Sequence, residues 1–211
     1  MLYRYMKLIA RGAEAELYEI DWFGMRAVMK IRRPKAYRDP ELDRIIRTKR
    51  TLNEVRLMSR AHSAGIKVPA VYFFNPAEGV IIMQYIEGPT AKQLLETGKE
   101  DVLYEVGALV AKLHKIGIVH GDLALTNFIY QSGATPYIID MGLGYFVEPK
   151  RAVLEYARDV NVLMRILDTY GHKSDEYKEL FWSGYASVNE LAEVVKKGVD
   201  VIRASARYVE R

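Results

Sequence analysis

Two acidic residues and an amide in the middle of the chain have the types and spacing that phosphoryl transfer needs. The run His120-Gly121-Asp122-Leu123-Ala124-Leu125-Thr126-Asn127 is followed by Ile138-Ile139-Asp140-Met141-Gly142. An acidic residue on a loop, an amide five positions on and a second acidic residue at a strand end can converge on one site. Moving a phosphoryl group asks little covalent chemistry of a protein and much positioning and charge neutralisation. Asp122 is therefore expected to orient the attacking hydroxyl or water and accept its proton. Asn127 and Asp140 are expected to hold magnesium against the phosphates, as hard oxygen donors suit that ion. The 13-residue spacing from Asn127 to Asp140 leaves room for one hairpin, which would return Asp140 to the loop. Taken alone, His-Gly-Asp also reads as an ordinary turn and Asp140-Met141-Gly142 as a strand end.

Three further signals give that run its weight. Lys30 lies in the apolar stretch Ala27-Val28-Met29-Lys30-Ile31, and an ammonium there needs an anion because burying it unpaired is costly. It is expected to contact the α and β phosphates and to be held by Glu54 of a following helix. An isolated strand-end lysine is more often a surface residue, so position in the series decides. Gly12-Ala13-Glu14-Ala15 lacks a full glycine-rich pattern, but its small side chains would let backbone approach phosphate. Met83-Gln84-Tyr85-Ile86 is an extended run whose backbone could read an adenine; by itself it also passes for a core strand. Asp159 is expected on a helix behind the loop, bracing it by accepting backbone N–H groups.

The elements that must position these residues follow from periodicity and turn signals. Short antiparallel strands are expected over 8–9, 17–20 and 27–31, with a hairpin turn at Trp22-Phe23-Gly24. Asp39-Pro40-Glu41 reads as the start of a long helix that Gly65 ends, with Leu42, Ile45, Ile46, Leu52, Val55, Leu57 and Met58 as its apolar set. Strands near 70–74 and 80–85 flank the turn Asn75-Pro76-Ala77-Glu78-Gly79, and Glu87-Gly88-Pro89 makes a hinge. Beyond it, Val102, Val106, Leu109, Val110 and Leu113 recur at helical spacing, two short strands are expected at 128–130 and 137–139, and helices fill the remainder from about Ala152.

Composition narrows the chemistry. The 211 residues are half hydrophobic and contain no cysteine, which excludes disulfides, thiolate nucleophiles and cysteine zinc sites. The four histidines show no metal-ligand spacing. A net charge of +4 is compatible with phosphate-rich partners. The basic clusters Arg32, Arg33, Lys35, Arg38 and Arg44, Arg47, Lys49, Arg50 are read as a solvated face. No apolar run has the length of a membrane span and residues 1–4 lack a signal-peptide pattern, so a soluble cytoplasmic protein without membrane contact is expected.

With these residues in this order, the chain resembles the protein-kinase superfamily and, more narrowly, the PRPK family, the atypical kinase subunit of the KEOPS complex. The narrower likeness lies in Arg11-Gly12-Ala13-Glu14-Ala15 in place of a glycine-rich loop, Tyr37-Arg38-Asp39-Pro40-Glu41-Leu42-Asp43, residues 47–54, and His120-Gly121-Asp122-Leu123. It implies an α+β, two-lobed protein-kinase-like fold in one domain, with residues 1–86 as a strand-rich N-terminal lobe carrying one long helix and 87–211 as a mainly helical C-terminal lobe. It implies no full activation segment, and no Ala-Pro-Glu follows Gly142. ATP and magnesium are the implied cofactors. The implied activity is ATP hydrolysis or serine/threonine phosphorylation serving a complex that makes threonylcarbamoyladenosine in tRNA. The implied partners are the threonylcarbamoyl transferase subunit, a small subunit on the N-terminal lobe, and tRNA through the complex. Residues 203–211 depart from the family's dense basic tail, Ala124-Leu125 from its small polar pair and Gln84 from its hinge glutamate. The rival expectations are a RIO-like serine/threonine kinase, a small-molecule phosphotransferase and a pseudokinase scaffold that binds partners without turnover.

Overall fold

The computed structural model describes residues 6–131 and 135–209, and side chains up to residue 205. The N-terminal residues 1–5, the last two residues of the tail and the centre of the 128–139 hairpin lie outside the described residues.

Strand β1 (Met6–Arg11), β2 (Glu16–Trp22) and β3 (Met25–Ile31) form a meander. Phe23 and Gly24 both have positive φ, 53° and 82°, which is the backbone of a tight two-residue hairpin turn. Trp22 is thus the last residue of β2 rather than part of the turn. Helix α1 (Pro40–Ser63) follows, then β4 (Val71–Asn75) and β5 (Val80–Gln84), and the five strands form one antiparallel sheet in the order β1-β2-β3-β5-β4. Alternation along β3 divides the sheet's faces. Ala27 and Met29 pack with Ile20 and Ile82 in a small cluster, while Lys30, paired with Ile81 of β5, faces the opposite way.

Helix α1 starts where Asp39 accepts hydrogen bonds from the N–H groups of Glu41 and Leu42, with Pro40 in the first turn. It ends where Gly65 takes φ +75° and Ile66 N–H returns to Ala61 O at 3.0 Å. Its inward face differs from the expected apolar set. Leu42 and Ile45 are exposed, whereas Asp43, Thr51 and Glu54 are buried with Leu57, Met58 and Ala61. The first half of α1 lies against cations, so a polar face is what it has to bury: Asp43 accepts from Arg47 at 2.7 Å and from Lys35 N–H at 3.2 Å.

After the Glu87-Gly88-Pro89 hinge come α2 (Ala91–Glu96), closed by a Thr90/Gln93 capping box, and α3 (Val102–Lys115). Then β6 (Ile118–Val119), β7 (Phe128–Ile129), β8 (Tyr137–Ile138) and β9 (Tyr145–Phe146) form two short ladders, β6 with β9 and β7 with β8. Helices α4 (Ala152–Leu167), α5 (Ser174–Ala186) and α6 (Ala192–Val209) complete the chain. The main core joins Val106, Leu109, Val110 and Leu113 of α3 to Val160, Leu163 and Leu167 of α4 and Phe181 and Tyr185 of α5. It continues through Leu57, Met58 and Ile81, so the sheet-bearing and helical parts share one core. Among the described residues no helix is long and apolar enough to cross a membrane.

Candidate active site

The loop that carries Asp122 is pinned from beneath. Asp159, in the middle of α4 and fully buried, accepts His120 N–H and Gly121 N–H, each at 2.8 Å. Its Oδ2 also meets His114 Nε2 at 3.0 Å, and His114 stacks on Tyr156 and meets Tyr185 OH at 2.8 Å. The loop is thereby tied to α3, α4 and α5 together. A carboxylate with this many partners is a costly group to bury and a rigid one once satisfied. Gly121 turns with φ +80°, and a Cβ there would lie 2.4 Å from Leu143 O, so only glycine lets the two loops approach.

Asn127 Nδ2 donates to Asp122 O at 2.9 Å, which closes the loop on itself and leaves Asn127 Oδ1 for another partner. The β7–β8 hairpin then pairs Phe128 with Ile138, and Ile139 N–H donates to Asn127 O at 2.9 Å. Asp140 is therefore one residue beyond the rung that joins the hairpin's two ends. His120 Nε2 meets Ile139 O at 3.1 Å while Nδ1 accepts Asp122 N–H at 3.3 Å. The two contacts require the proton on Nε2 and the lone pair on Nδ1. Asp140 itself has φ 58°, a left-handed conformation that Asp tolerates and that often marks a functional turn.

Lys30 reaches both carboxylates. Its Nζ lies 2.9 Å from Glu54 Oε1 and 2.6 Å from Asp140 Oδ1. Burial pushes the ammonium down, but the charges of Glu54 and Asp140 outweigh it and hold Lys30 above its ordinary value. Burial likewise pushes Asp140 up, and the charge and hydrogen bond of Lys30, with Gly142 N–H, hold it below its ordinary value. Both side chains are therefore charged at neutral pH.

The cleft has two ends that share Leu17, Lys30 and Asp140. One end, about 320 Å³, is lined by Gly12, Ala13, Glu14, Lys30, Arg32, Arg50, Asp122, Asp140 and Gly142, a volume within the range of small-molecule sites. Here Gly12 N–H donates to Ala15 O at 2.9 Å, Glu14 pairs with Arg50 of α1, and Lys35 bonds Ala13 O. The other end is apolar, with Ile9, Leu17 and Val28 on one side, Ile129 and Ile139 on the other, and Met83, Gln84, Tyr85 and Ile86 along the edge. Gln84 is tied to Ala70 twice, its side-chain carbonyl accepting Ala70 N–H at 3.3 Å and its own N–H donating to Ala70 O at 2.8 Å. Arg26 stacks on Tyr85 at 4.0 Å and pairs with Glu87 at 2.9 Å, fixing the edge from outside.

Every residue expected at the site lines this cleft, closes its loop or holds one of its charges. Arg32, expected on a solvated face, is instead 3% exposed, with Nη2 2.5 Å from Glu54 Oε2. The signal for it is its place two residues after Lys30, which puts both on one face of an extended strand. Ile139, Ile129, Leu17 and Val28 gave no sign in sequence beyond being apolar. As a cation site, Asn127 Oδ1 and the Asp140 carboxylate are two hard oxygens, and among the described residues no cluster of three His, Cys, Asp or Glu could hold a metal. That donor set fits magnesium, which keeps waters and shares substrate phosphates, and not a transition metal held wholly by protein.

The RIO domain family model matches residues 27–180. The chain is 34% identical to the KEOPS complex subunit Bud32 of Pyrococcus abyssi, over 98% of each chain, and 30% identical to the EKC/KEOPS complex subunit bud32 of Dictyostelium discoideum, over 95% of this chain and 82% of that one. It is 35% identical to a probable bifunctional tRNA threonylcarbamoyladenosine biosynthesis protein of Methanocaldococcus jannaschii, over 96% of this chain. It spans only 37% of that longer relative. Among solved structures, the Rio2 kinase of Chaetomium thermophilum in its ADP/Mg2+-phosphoaspartate complex superimposes with a TM-score of 0.67 at 19% identity, covering 97% of this chain and 71% of that one. The shared fold is protein-kinase-like.

Proposed function

This chain belongs to the RIO-domain family, in the branch of the KEOPS subunit Bud32, and from that premise we propose that it binds Mg-ATP in the cleft and transfers or hydrolyses the terminal phosphate. Adenine would lie between Val28 and Ile139 against residues 83–86, with the phosphates toward Lys30 and residues 12–14. Magnesium would supply charge neutralisation at Asn127 and Asp140 when bound. Asp122 would take the proton of the attacking hydroxyl or water, and Glu54 would hold Lys30. Residues 1–86 and 87–211 would act as the two lobes of one domain. The single observation that carries this is Lys30 bonded at once to Glu54 and to Asp140 where the apolar and polar ends meet.

The biological setting is a complex that makes threonylcarbamoyladenosine in tRNA, supported by the names of the relatives, and the cytoplasm is its proposed location. The threonylcarbamoyl transferase subunit and a small subunit on the N-terminal lobe are the proposed partners, with tRNA engaged through the complex. The test is phosphate release from Mg-ATP by the purified chain, alone and with the transferase subunit. Slow turnover that rises with the partner is expected, with Asp122→Ala at least about 100-fold slower. Undiminished turnover by Asp122→Ala would remove the mechanism. Tight nucleotide binding with no turnover, even with the partner, would make the chain a scaffold instead.

A further inference from the structure

Glu54 is held by two cations on separate oxygens, Lys30 on Oε1 at 2.9 Å and Arg32 on Oε2 at 2.5 Å. Arg32 stands just past β3, its N–H donating to Gly79 O at 2.9 Å, and its Nη1 lies 3.4 Å from Thr51 Oγ1 one turn earlier on α1. It is 3% exposed, lines the phosphate end of the cleft, and among the described residues nothing accepts from its Nε. A Cβ added at Gly142 would come within 3.3 Å of Lys30 Nζ, 3.1 Å of Arg32 Nη2 and 3.0 Å of Asp140 Oδ1. All four charged groups therefore crowd one small space.

Their charges cancel: Lys30 and Arg32 against Glu54 and Asp140. If Asp140 turns to a magnesium ion, its charge is spent there, and Lys30, Arg32 and Glu54 are left with one positive charge facing the phosphates. Without Arg32 the remainder would be Lys30 and Glu54 alone, a neutral pair with nothing left for an anion. We propose that Arg32 is a positioning residue for the nucleotide's phosphates, taking up the charge of Glu54 so that the charge of Lys30 is available to them. Arg suits this place because its planar, permanently charged fork reaches Glu54 and Thr51 together. The effect belongs to phosphate binding and not to recognition of the base, which lies at the apolar end.

The inference rests on the cleft binding a nucleotide, and the experiment separates the two. Calorimetric titration of the full chain with Mg-ADP and, separately, with adenosine compares wild type with Arg32→Met and Arg32→Lys. Arg32→Met is expected to bind Mg-ADP at least tenfold more weakly with adenosine unchanged within twofold, and Arg32→Lys to stay within threefold for both. Wild type that binds neither compound ends the nucleotide reading and this inference with it. Wild type that binds Mg-ADP while Arg32→Met binds it equally well, or loses adenosine in the same proportion, overturns the role of Arg32 alone. Should Arg32→Met not fold, the same pair is compared on a Glu54→Gln background, where the buried carboxylate no longer needs its partner. There no carboxylate charge remains for Arg32 to take up, so Arg32→Met is expected to change Mg-ADP affinity by less than about threefold, and a loss of tenfold or more, which would mean that Arg32 meets the phosphates directly, overturns the inference.

Discussion

Lys30 and Asp140 are charged groups held by other charges, Asp159 is a buried side chain held by backbone N–H groups and His114, and each has a measurable signature. Asp140 is held below its ordinary 3.8 and Lys30 above its ordinary 10.5. A depressed carboxyl contributes stability that is present above its unfolded value and lost as pH falls through the folded one; a raised ammonium contributes below its unfolded value and loses it as pH rises. The pair's contribution should therefore be flat from about pH 5 to pH 9 and disappear toward either extreme. Thermal melts from pH 2.5 to 7 should show wild type and Asp140→Asn differing at neutrality and converging below about pH 4. Curves that stay parallel to the lowest pH would mean that the Lys30 contact contributes nothing. Asp159 differs in being fully buried. Asp159→Ala leaves two backbone N–H groups and His114 without their acceptor, which should cost about 3 kcal/mol or more and lower Tm by about 6–12 °C.

At the scale of elements, two helices meet through reciprocal glycines. Gly107 of α3 lies where a Cβ would be 2.1 Å from Phe181 O, and Gly184 of α5 where one would be 1.9 Å from Tyr104 O. The helices pack backbone to backbone at these points, and this sets the height of α5 against the helix whose His114 leads to Asp159. Gly184→Ala should destabilise by about 3 kcal/mol or more, since backbone and not a flexible side chain must give way. Gly98→Ala should cost only about 1 kcal/mol, because its Cβ meets open space and only the left-handed backbone resists it. Urea titration of both variants checks this, and comparable losses would mean that the helices can separate freely. Asp39→Ala removes the cap of α1 and should cost about 1 kcal/mol.

Across the whole molecule the cleft is closed by contacts between distant parts of the chain. Asn53 of α1 donates to Gly144 O at 2.7 Å, and Lys30 of β3 meets Asp140 at 2.6 Å. A ligand that engages both sides of this cleft stabilises the folded state by mass action. Mg-ADP at 100 times its Kd should add about 2.7 kcal/mol, raising Tm by about 5–11 °C. The rise should be lost on omitting magnesium if Asp140 acts through the ion. An equal rise without magnesium would separate nucleotide binding from the proposed metal ligands.

The linear chain already singled out residues that the structure gathers at one cleft, because phosphoryl transfer, the proposed chemistry, needs particular residue types at particular intervals: Lys30, Glu54, Asp122, Asn127 and Asp140 stand out on type and order alone. Element positions were also legible wherever local physics sets them, as at the Phe23-Gly24 turn, the Asp39 cap and the Gly65 stop. Arg32 and the polar face of α1 were not. A buried cation and a buried carboxylate look like surface residues until the partner that neutralises them is in contact, and that contact joins the residue just past β3 to α1 across 22 residues. The apolar walls of the cleft are the same case: Val28 and Ile139 come to line one pocket only when sheet and hairpin are brought face to face. What local propensity and side-chain chemistry determine can be read along the chain, whereas which charges cancel and which surfaces enclose a space depends on distances that folding alone creates.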